Sequence, residues 1–350
     1  MKIDFLIVGQ GLAGTLLADH LLEKGCRVHL IHNPELSSSS RVAGGMINPV
    51  TGKHLAKTWL DEAIFPYLRD YYRKKEAALD TSFFYEIPLY RPFKNPQQKD
   101  QFLKAIEKHG LEEYCSPVEP KYPEDQITNG LGGIQTTGSG RLDVAHFLDA
   151  MAMYFLKNGV LSHHNFNFDQ LKEQEGQWIY ESFETANIIF CEGFQATRNP
   201  YFNWLPFNPV KGETLEVELS GLDISEIVNQ GVWLMPLENQ RYKLGATYSW
   251  HELNDQITER GRSELLDKMK SWIHVPFEVK DQKAGVRPAT KDRRPFMGSH
   301  PEHKNLFIFN GLGTKGVSLG PYFANEMTAY LTEGKELNPE TTIERFYPLY

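Results

Sequence analysis

Residues 3–14 read Ile3-Asp4-Phe5-Leu6-Ile7-Val8-Gly9-Gln10-Gly11-Leu12-Ala13-Gly14, and the architecture is read outward from them. The apolar run up to Val8 reads as a buried strand that ends in glycines. An apolar-periodic stretch follows from Thr15 to Lys24, with Leu16, Leu17, Leu21 and Leu22 on one face, and Gly25 stops it. Val28-His29-Leu30-Ile31 then reads as a second strand. Strand, glycine turn, helix, strand is the context that gives a GxGxxG pattern meaning. Gly9 permits the tight turn, Gly11 lets the backbone approach a pyrophosphate, and Gly14 lets the helix pack against the strand. With Leu12 and Ala13 between them, free N–H groups at the helix start face the anion.

One position departs from this fingerprint. Where an acidic residue should hold the ribose at the end of the second strand, the chain has His32. A neutral imidazole accepts one hydrogen bond and can substitute, as can Asn33 or Glu35. No arginine stands there to suggest a 2′-phosphate.

Two further glycine-rich segments extend the reading. Ser37 to Ser40, including Ser39 and Ser40, lead into Arg41-Val42-Ala43-Gly44-Gly45-Met46. Near the other end, Leu306-Phe307-Ile308-Phe309 reads as a strand followed by Gly311-Leu312-Gly313-Thr314-Lys315-Gly316 and a helix-like stretch from Val317 to Leu331. Two glycine-lined helix starts at opposite ends of a chain suit a long cofactor held at both ends. FAD fits, with its pyrophosphate at the first site and its isoalloxazine carbonyl at the second, where a helix N-terminus favours the anionic reduced ring.

Composition limits the alternatives. The 350 residues carry 37 basic and 45 acidic side chains, a net charge of −8 with histidine neutral, so no electrostatic footprint for nucleic acid or anionic lipid is expected. Cys26, Cys115 and Cys191 form neither a metal pattern nor a redox pair. His163-His164 and the other histidines show no metal spacing, so no metal is expected. The N-terminus does not read as a signal peptide, and no apolar run is long enough to span a membrane. A reducing compartment, the cytoplasm, is the expected location.

Taken together, GQGLAG, the SSSSRVAGGM loop, NPVKGE at 208–213, WLMP at 233–236, KLGATY at 243–248, AGVRPATKDRRPFMG at 284–298 and NGLGTKG at 310–316 resemble the D-amino-acid oxidase family of FAD-dependent oxidoreductases, nearest its glycine oxidase and sarcosine oxidase branches. The resemblance covers nearly the whole chain. It implies an α/β fold: a Rossmann-like FAD-binding domain with an interleaved α+β substrate domain built on a mixed sheet. Residues 1–80, 141–205 and 286–350 would form the first domain, and 81–140 and 206–285 the second. It also implies that Phe168 and Gly193 join the cofactor contacts.

The implied reaction is oxidation of a C–N bond next to a carboxylate in a small amine or amino acid. Hydride leaves the α-carbon for flavin N5, water hydrolyses the resulting imine, and oxygen or another acceptor takes the electrons. Arg287 resembles the arginine of GxRPxTxD that clamps the substrate carboxylate, a task suited to a permanently charged guanidinium fork. Its structural alternative is a salt bridge with Asp292. Trp233 and Tyr248 fall where glycine oxidase-like enzymes place pocket walls. Lys243, in a KLG run, resembles the lysine that helps oxygen react in sarcosine oxidase, although strand alternation sets it opposite Tyr248. Thr314 and Ser318 stand where the two branches carry an arginine and a lysine, leaving Lys315 as the nearby cation. Gly285 replaces the cysteine that sarcosine oxidase bonds to flavin, so non-covalent FAD is expected. Two other readings remain: oxidation of a glycine-like group on a modified tRNA base, and a flavin-binding protein without amine turnover.

Overall fold

The computed structural model describes residues 1–52, 54–303 and 305–350. Five strands lie side by side in the order Leu161–His163, Val28–His32, Lys2–Val8, Phe183–Phe190 and Leu306–Asn310, and all five run parallel. The opening strand is central and covered on both faces, which is why it reads as a continuous apolar run. Phe5 and Ile7 face one hydrophobic cluster, and Leu6 and Val8 face another. Helices Leu12–Glu23, Asp61–Leu79, Val144–Lys157 and Gly316–Glu333 contribute to the first cluster. A hairpin, Lys172–Gln174 with Gln177–Tyr180, pairs antiparallel beside the Phe183–Phe190 strand and helps close the second.

The glycine turn is tighter than the periodicity of 15–24 suggested. The helix starts at Leu12, with Gly11 as its N-cap, so half of the fingerprint is the helix's first turn. Gly9 sits at a φ of +104°, and a Cβ there would lie 2.5 Å from the Cys191 carbonyl oxygen. A Cβ on Gly14 would lie 1.8 Å from the Gly9 oxygen. These contacts, rather than general flexibility, demand glycine at both positions.

A second, eight-stranded sheet has the order Phe277–Arg287, Val210–Leu219, Arg241–Gly245, Trp233–Pro236, Ile227–Asn229, Leu89–Pro92, Gly133–Thr136 and Cys115–Val118. It is mixed, as the resemblance implied: Ile227–Asn229 and Leu89–Pro92 are parallel, and the other pairs antiparallel. Helix Glu259–Lys270 lays Leu265 and Met269 on it, beside the fully buried Trp272. Three strands from 89–136, a region without a legible motif, form one flank of this sheet. The chain crosses between the two sheets more than once. Strand Phe277–Arg287 belongs to the second, whereas Phe296–Ser299 pairs with Leu306–Asn310 in the first. The fold is therefore α/β with two sheets, and the longest strand of the second delivers Arg287 at its end. Among the described residues, no helix is long and apolar enough to cross a membrane.

Candidate active site

A cleft of about 430 Å³ runs from the carboxyl ends of the parallel strands to the second sheet. Val8, Ile31, Cys191 and Asn310 line it from the first, and Gly212, Thr214, Trp233, Gly285 and Arg287 from the second. The opening strand has one crossover neighbour on each side, so the cleft lies at the switch point where open α/β sheets bind ligands.

At one end of the cleft are His32, Asn33, His164, Asn165 and Phe166. Burial holds the His32 imidazole down to about 4, with repulsion from His163 and Arg41 adding to it, so the ring is neutral near pH 7 and has an acceptor nitrogen. The Asn33 amide is committed: it donates to Asn165 Oδ1 at 2.8 Å and accepts from Glu35 N at 2.9 Å. Next comes the helix start. Its first turn holds no acidic residue, and its N-cap residue, Gly11, supplies no side-chain cap. Leu12 N donates to Ser40 Oγ at 3.2 Å, while the N–H groups of Ala13 and Gly14 have no partner within the helix. Gly11 faces open space: a Cβ there meets only Ser40 Oγ at 3.4 Å and Ser38 Oγ at 4.0 Å.

The middle of the cleft is walled by Ser39, Ser40, Gly44, Gly45 and Met46. The Trp233 ring lies between two glycines: a Cβ on Gly44 would come within 2.5 Å of it, and one on Gly245 within 2.4 Å. Gly193, Leu312, Gly313, Thr314, Lys315, Gly316 and Val317 line the opposite wall. Asn310 ties this wall together, donating to Gly193 O at 3.0 Å and accepting from Gly311 N at 2.8 Å. Among the described residues the Lys315 amine reaches Thr58 Oγ1 at 3.4 Å and Thr51 Oγ1 at 3.5 Å; burial, then Arg294 and Arg293, push its pKa down.

At the far end stands Arg287. Its guanidinium packs onto Gly212, where a Cβ would lie 2.1 Å from it, and under the Tyr248 ring at 4.7 Å. It donates to Thr247 O at 3.3 Å. The salt bridge with Asp292 is absent, because Asp292 Oδ2 accepts from Arg345 at 2.9 Å. Among the described residues no carboxylate pairs with Arg287, so a largely buried cation faces the cleft without a counter-charge. Such a group favours an incoming carboxylate. Tyr248 is 53 % exposed and stacks on the equally exposed Trp250, with ring centroids 6.3 Å apart.

Three sequence expectations change. Phe168 does not line the cleft. It packs on Phe166, Phe190 and Tyr201, and Phe166 is the aromatic that reaches the cleft. Gly311 is likewise behind the wall rather than on it; at φ +73° it turns the chain, with a Cβ 2.6 Å from Thr290. Lys243 is also outside: alternation turns its amine away from the cleft to Ala43 O at 2.7 Å, in a separate cavity. The sequence reading missed Glu192, Asn310, Gly212 and Thr214, all of which line the cleft or hold its walls. Gly212 sits inside the quoted NPVKGE segment, and Glu192 directly precedes Gly193.

The model of the DAO family, described as FAD dependent oxidoreductase, matches residues 4–330. The chain belongs to this family. It is 20 % identical over 346 residues to a tRNA 5-methylaminomethyl-2-thiouridine biosynthesis bifunctional protein of Marinobacter nauticus, covering 91 % of the chain and 54 % of that relative. The chain thus spans about half the length of this relative. A stretch of 137 residues is 31 % identical to glycine oxidase of Bacillus licheniformis, 38 % of this chain and 37 % of that one. Among solved structures, glycine oxidase of Bacillus cereus superposes with a TM-score of 0.81 at 19 % identity over 96 % of both chains, which confirms the fold.

FAD is the family's cofactor, and the cleft fits it on four counts. The cleft is long, it has unpartnered helix N–H groups, and at Gly11 it has open backbone where a side chain would intrude. Its neutral imidazole offers a hydrogen-bond acceptor where the fingerprint has an acid. Glu192 is placed to make cofactor binding depend on pH. It lines the cleft beside the Gly9 turn, accepts from Asn199 at 2.6 Å, and is pushed up to about 7 by burial, Asn199 opposing. Below that pH it is neutral and compatible with a neighbouring diphosphate; above it, the carboxylate repels one. The dissociation constant of FAD, read by flavin fluorescence, should rise about fivefold to tenfold from pH 6 to 8.5. In Glu192→Gln it should stay flat; an equal slope in both proteins would exclude this role.

Proposed function

We propose that the chain oxidises the C–N bond of a small amino acid or N-substituted glycine. The observation that carries this reading is the buried, unpaired Arg287 guanidinium at the end of a family-typical cofactor cleft. When bound, FAD supplies the hydride acceptor for the carbon between amine and carboxylate. The pyrophosphate is assigned to the N–H groups of Leu12, Ala13 and Gly14 with Ser39 and Ser40, the ribose to His32, and the ring to the walls formed by Gly44–Met46 and Gly313–Val317. Gly285 packs against Ser39 and Val42, with a Cβ site 3.2 Å from each, and carries no thiol, which supports non-covalent attachment.

Arg287 holds the substrate carboxylate through its fork and fixes which carbon faces the acceptor. Trp233, locked between Gly44 and Gly245, supplies a rigid wall, and Tyr248 covers the clamp and limits water. Lys315 and the helix start behind it place positive potential where electron density grows. These residues orient and stabilise; the reaction asks no strong acid or base of them.

The test is an anaerobic visible spectrum of the purified protein, before and after a mixture of glycine, sarcosine, proline and D-amino acids. Bleaching of the flavin bands is expected, after which single compounds identify the substrate. A flavin spectrum that persists under all of them would overturn the reading. A second reading, a glycine-like group on a modified tRNA base, is favoured by the tRNA-modifying relative together with the half-exposed Tyr248–Trp250 pair at the mouth. Its mark would be tRNA binding that weakens steeply with salt.

A further inference from the structure

A second cavity of about 240 Å³ shares Ala43, Gly44 and Thr214 with the cleft, so these residues form the wall between them. Its lining is highly charged: Arg41, Arg141, Lys243 and Lys283 against Asp143, Glu216 and Asp281. Most of these charges are already matched. Arg41 pairs with Asp149 at 2.6 Å, Glu216 with Arg241 at 2.9 Å, and Lys283 with Asp281 at 3.4 Å. Asp143 is largely spent as the cap of helix Val144–Lys157, accepting from His146 N at 3.1 Å, and lies 3.7 Å from Arg141.

Two cations are incompletely matched among the described residues: Arg141, whose one carboxylate partner is Asp143 at 3.7 Å, and Lys243, which has none. The Arg141 side chain is nine-tenths buried, and its Nε–H is buried with no hydrogen-bond partner. Its planar face rests on the Tyr85 ring at 4.5 Å, which holds the fork in one plane. The strand pairing Arg141 with Met46 and Tyr85 fixes its backbone. The Lys243 amine, also largely buried, donates to Ala43 O at 2.7 Å. Burial followed by repulsion from Lys283 brings it down to about 8, with Arg141 adding to the repulsion and Asp143 and Glu216 opposing it. An orphaned buried guanidinium N–H marks a cation whose desolvation is not fully offset, a cost that a facing oxyanion would reduce. A flat fork matched to two oxygens selects a carboxylate or phosphate over a spherical ion.

We propose that this second cavity is a binding site for a small oxyanion, a carboxylate or a phosphate, held by Arg141 and Lys243 behind the Ala43–Gly44 wall of the cofactor cleft. Because Lys243 is tethered to Ala43, occupancy bears on the loop that lines that cleft. The site is separate from the Arg287 clamp and does not depend on amine turnover.

The test is isothermal titration calorimetry of the FAD-loaded protein with sodium phosphate and, separately, sodium acetate, with ionic strength held constant by sodium chloride. Saturable one-site binding of at least one probe in the millimolar range is expected. Phosphate alone, acetate alone or both then identifies the source class. Arg141→Gln should weaken binding at least tenfold, and Lys243→Gln, a second variant should the first fail to fold, should weaken it too. Arg287→Ala should leave it in place. No saturable binding of either probe, binding unchanged in both cavity variants, or binding lost only in Arg287→Ala would overturn the proposal.

Discussion

Arg287→Ala is expected to give a folded, yellow, FAD-loaded protein whose amine-dependent flavin reduction is crippled. Truncating one partner of a buried, hydrogen-bonded charge pair costs about 2–5 kcal/mol, so kcat/KM should fall by roughly 30-fold to 5,000-fold. The loss should not come from the scaffold. Arg287 ends the Phe277–Arg287 strand, and among the described residues its side chain makes one 3.3 Å hydrogen bond, to Thr247 O, one ring contact, with Tyr248, and packs on Gly212. Removing a cation that has no counter-charge even relieves a burial cost. Thermal stability should therefore hold or rise slightly while activity collapses. Arg287→Lys should recover little, because an ammonium restores the charge without the flat fork. Rapid-mixing measurement of flavin bleaching decides the matter. An Arg287→Ala protein reduced by amines at the parental rate would remove the clamp, and the proposed reaction with it.

The second large effect separates two glycines three residues apart. Gly14→Ala puts a Cβ 1.8 Å from the Gly9 carbonyl oxygen, backbone against backbone, where no side chain can yield. That steric conflict is of the kind that costs more than about 4 kcal/mol. The variant should be unstable and colourless. Gly11→Ala meets the Ser40 hydroxyl at 3.4 Å and the Ser38 hydroxyl at 4.0 Å, both ordinary contacts, and should fold with near-parental thermal stability. Its methyl group nonetheless occupies the ground assigned to the diphosphate, so the dissociation constant of FAD should rise about a hundredfold, roughly 2.7 kcal/mol. Reconstitution with FAD followed by fluorescence reports both. A Gly11→Ala protein that retains FAD with parental affinity would show that the diphosphate does not pass there.

The sequence on its own determined the core of the fold. Lys2–Val8, the glycine turn and helix Leu12–Glu23 are legible because their determinants are local: an apolar run with no polar interruption, glycines at fixed spacing, and a 3.6-residue apolar repeat. The same holds for the strand and helix start around Asn310–Gly316, and the order of the motifs named the family and its cofactor. Only the tertiary structure decided the rest. Whether Arg287 formed a salt bridge with Asp292 depended on where Asp292 pointed, and Arg345 had claimed it. Whether Lys243 reached the cleft depended on which face of a strand was turned inward. Phe168 and Phe166, two residues apart, exchanged roles through a local turn. Glu192 and Gly212 carried no signal as single letters, since a carboxyl shifts its pKa, and a glycine cradles a guanidinium, only through what surrounds them. Short-range geometry is written along the chain. Charge, burial and facing are properties of neighbours that the chain brings together from far along its length, as where the Lys315 wall meets the opening helix start and a Cβ on Gly316 would lie 3.1 Å from the Leu12 side chain.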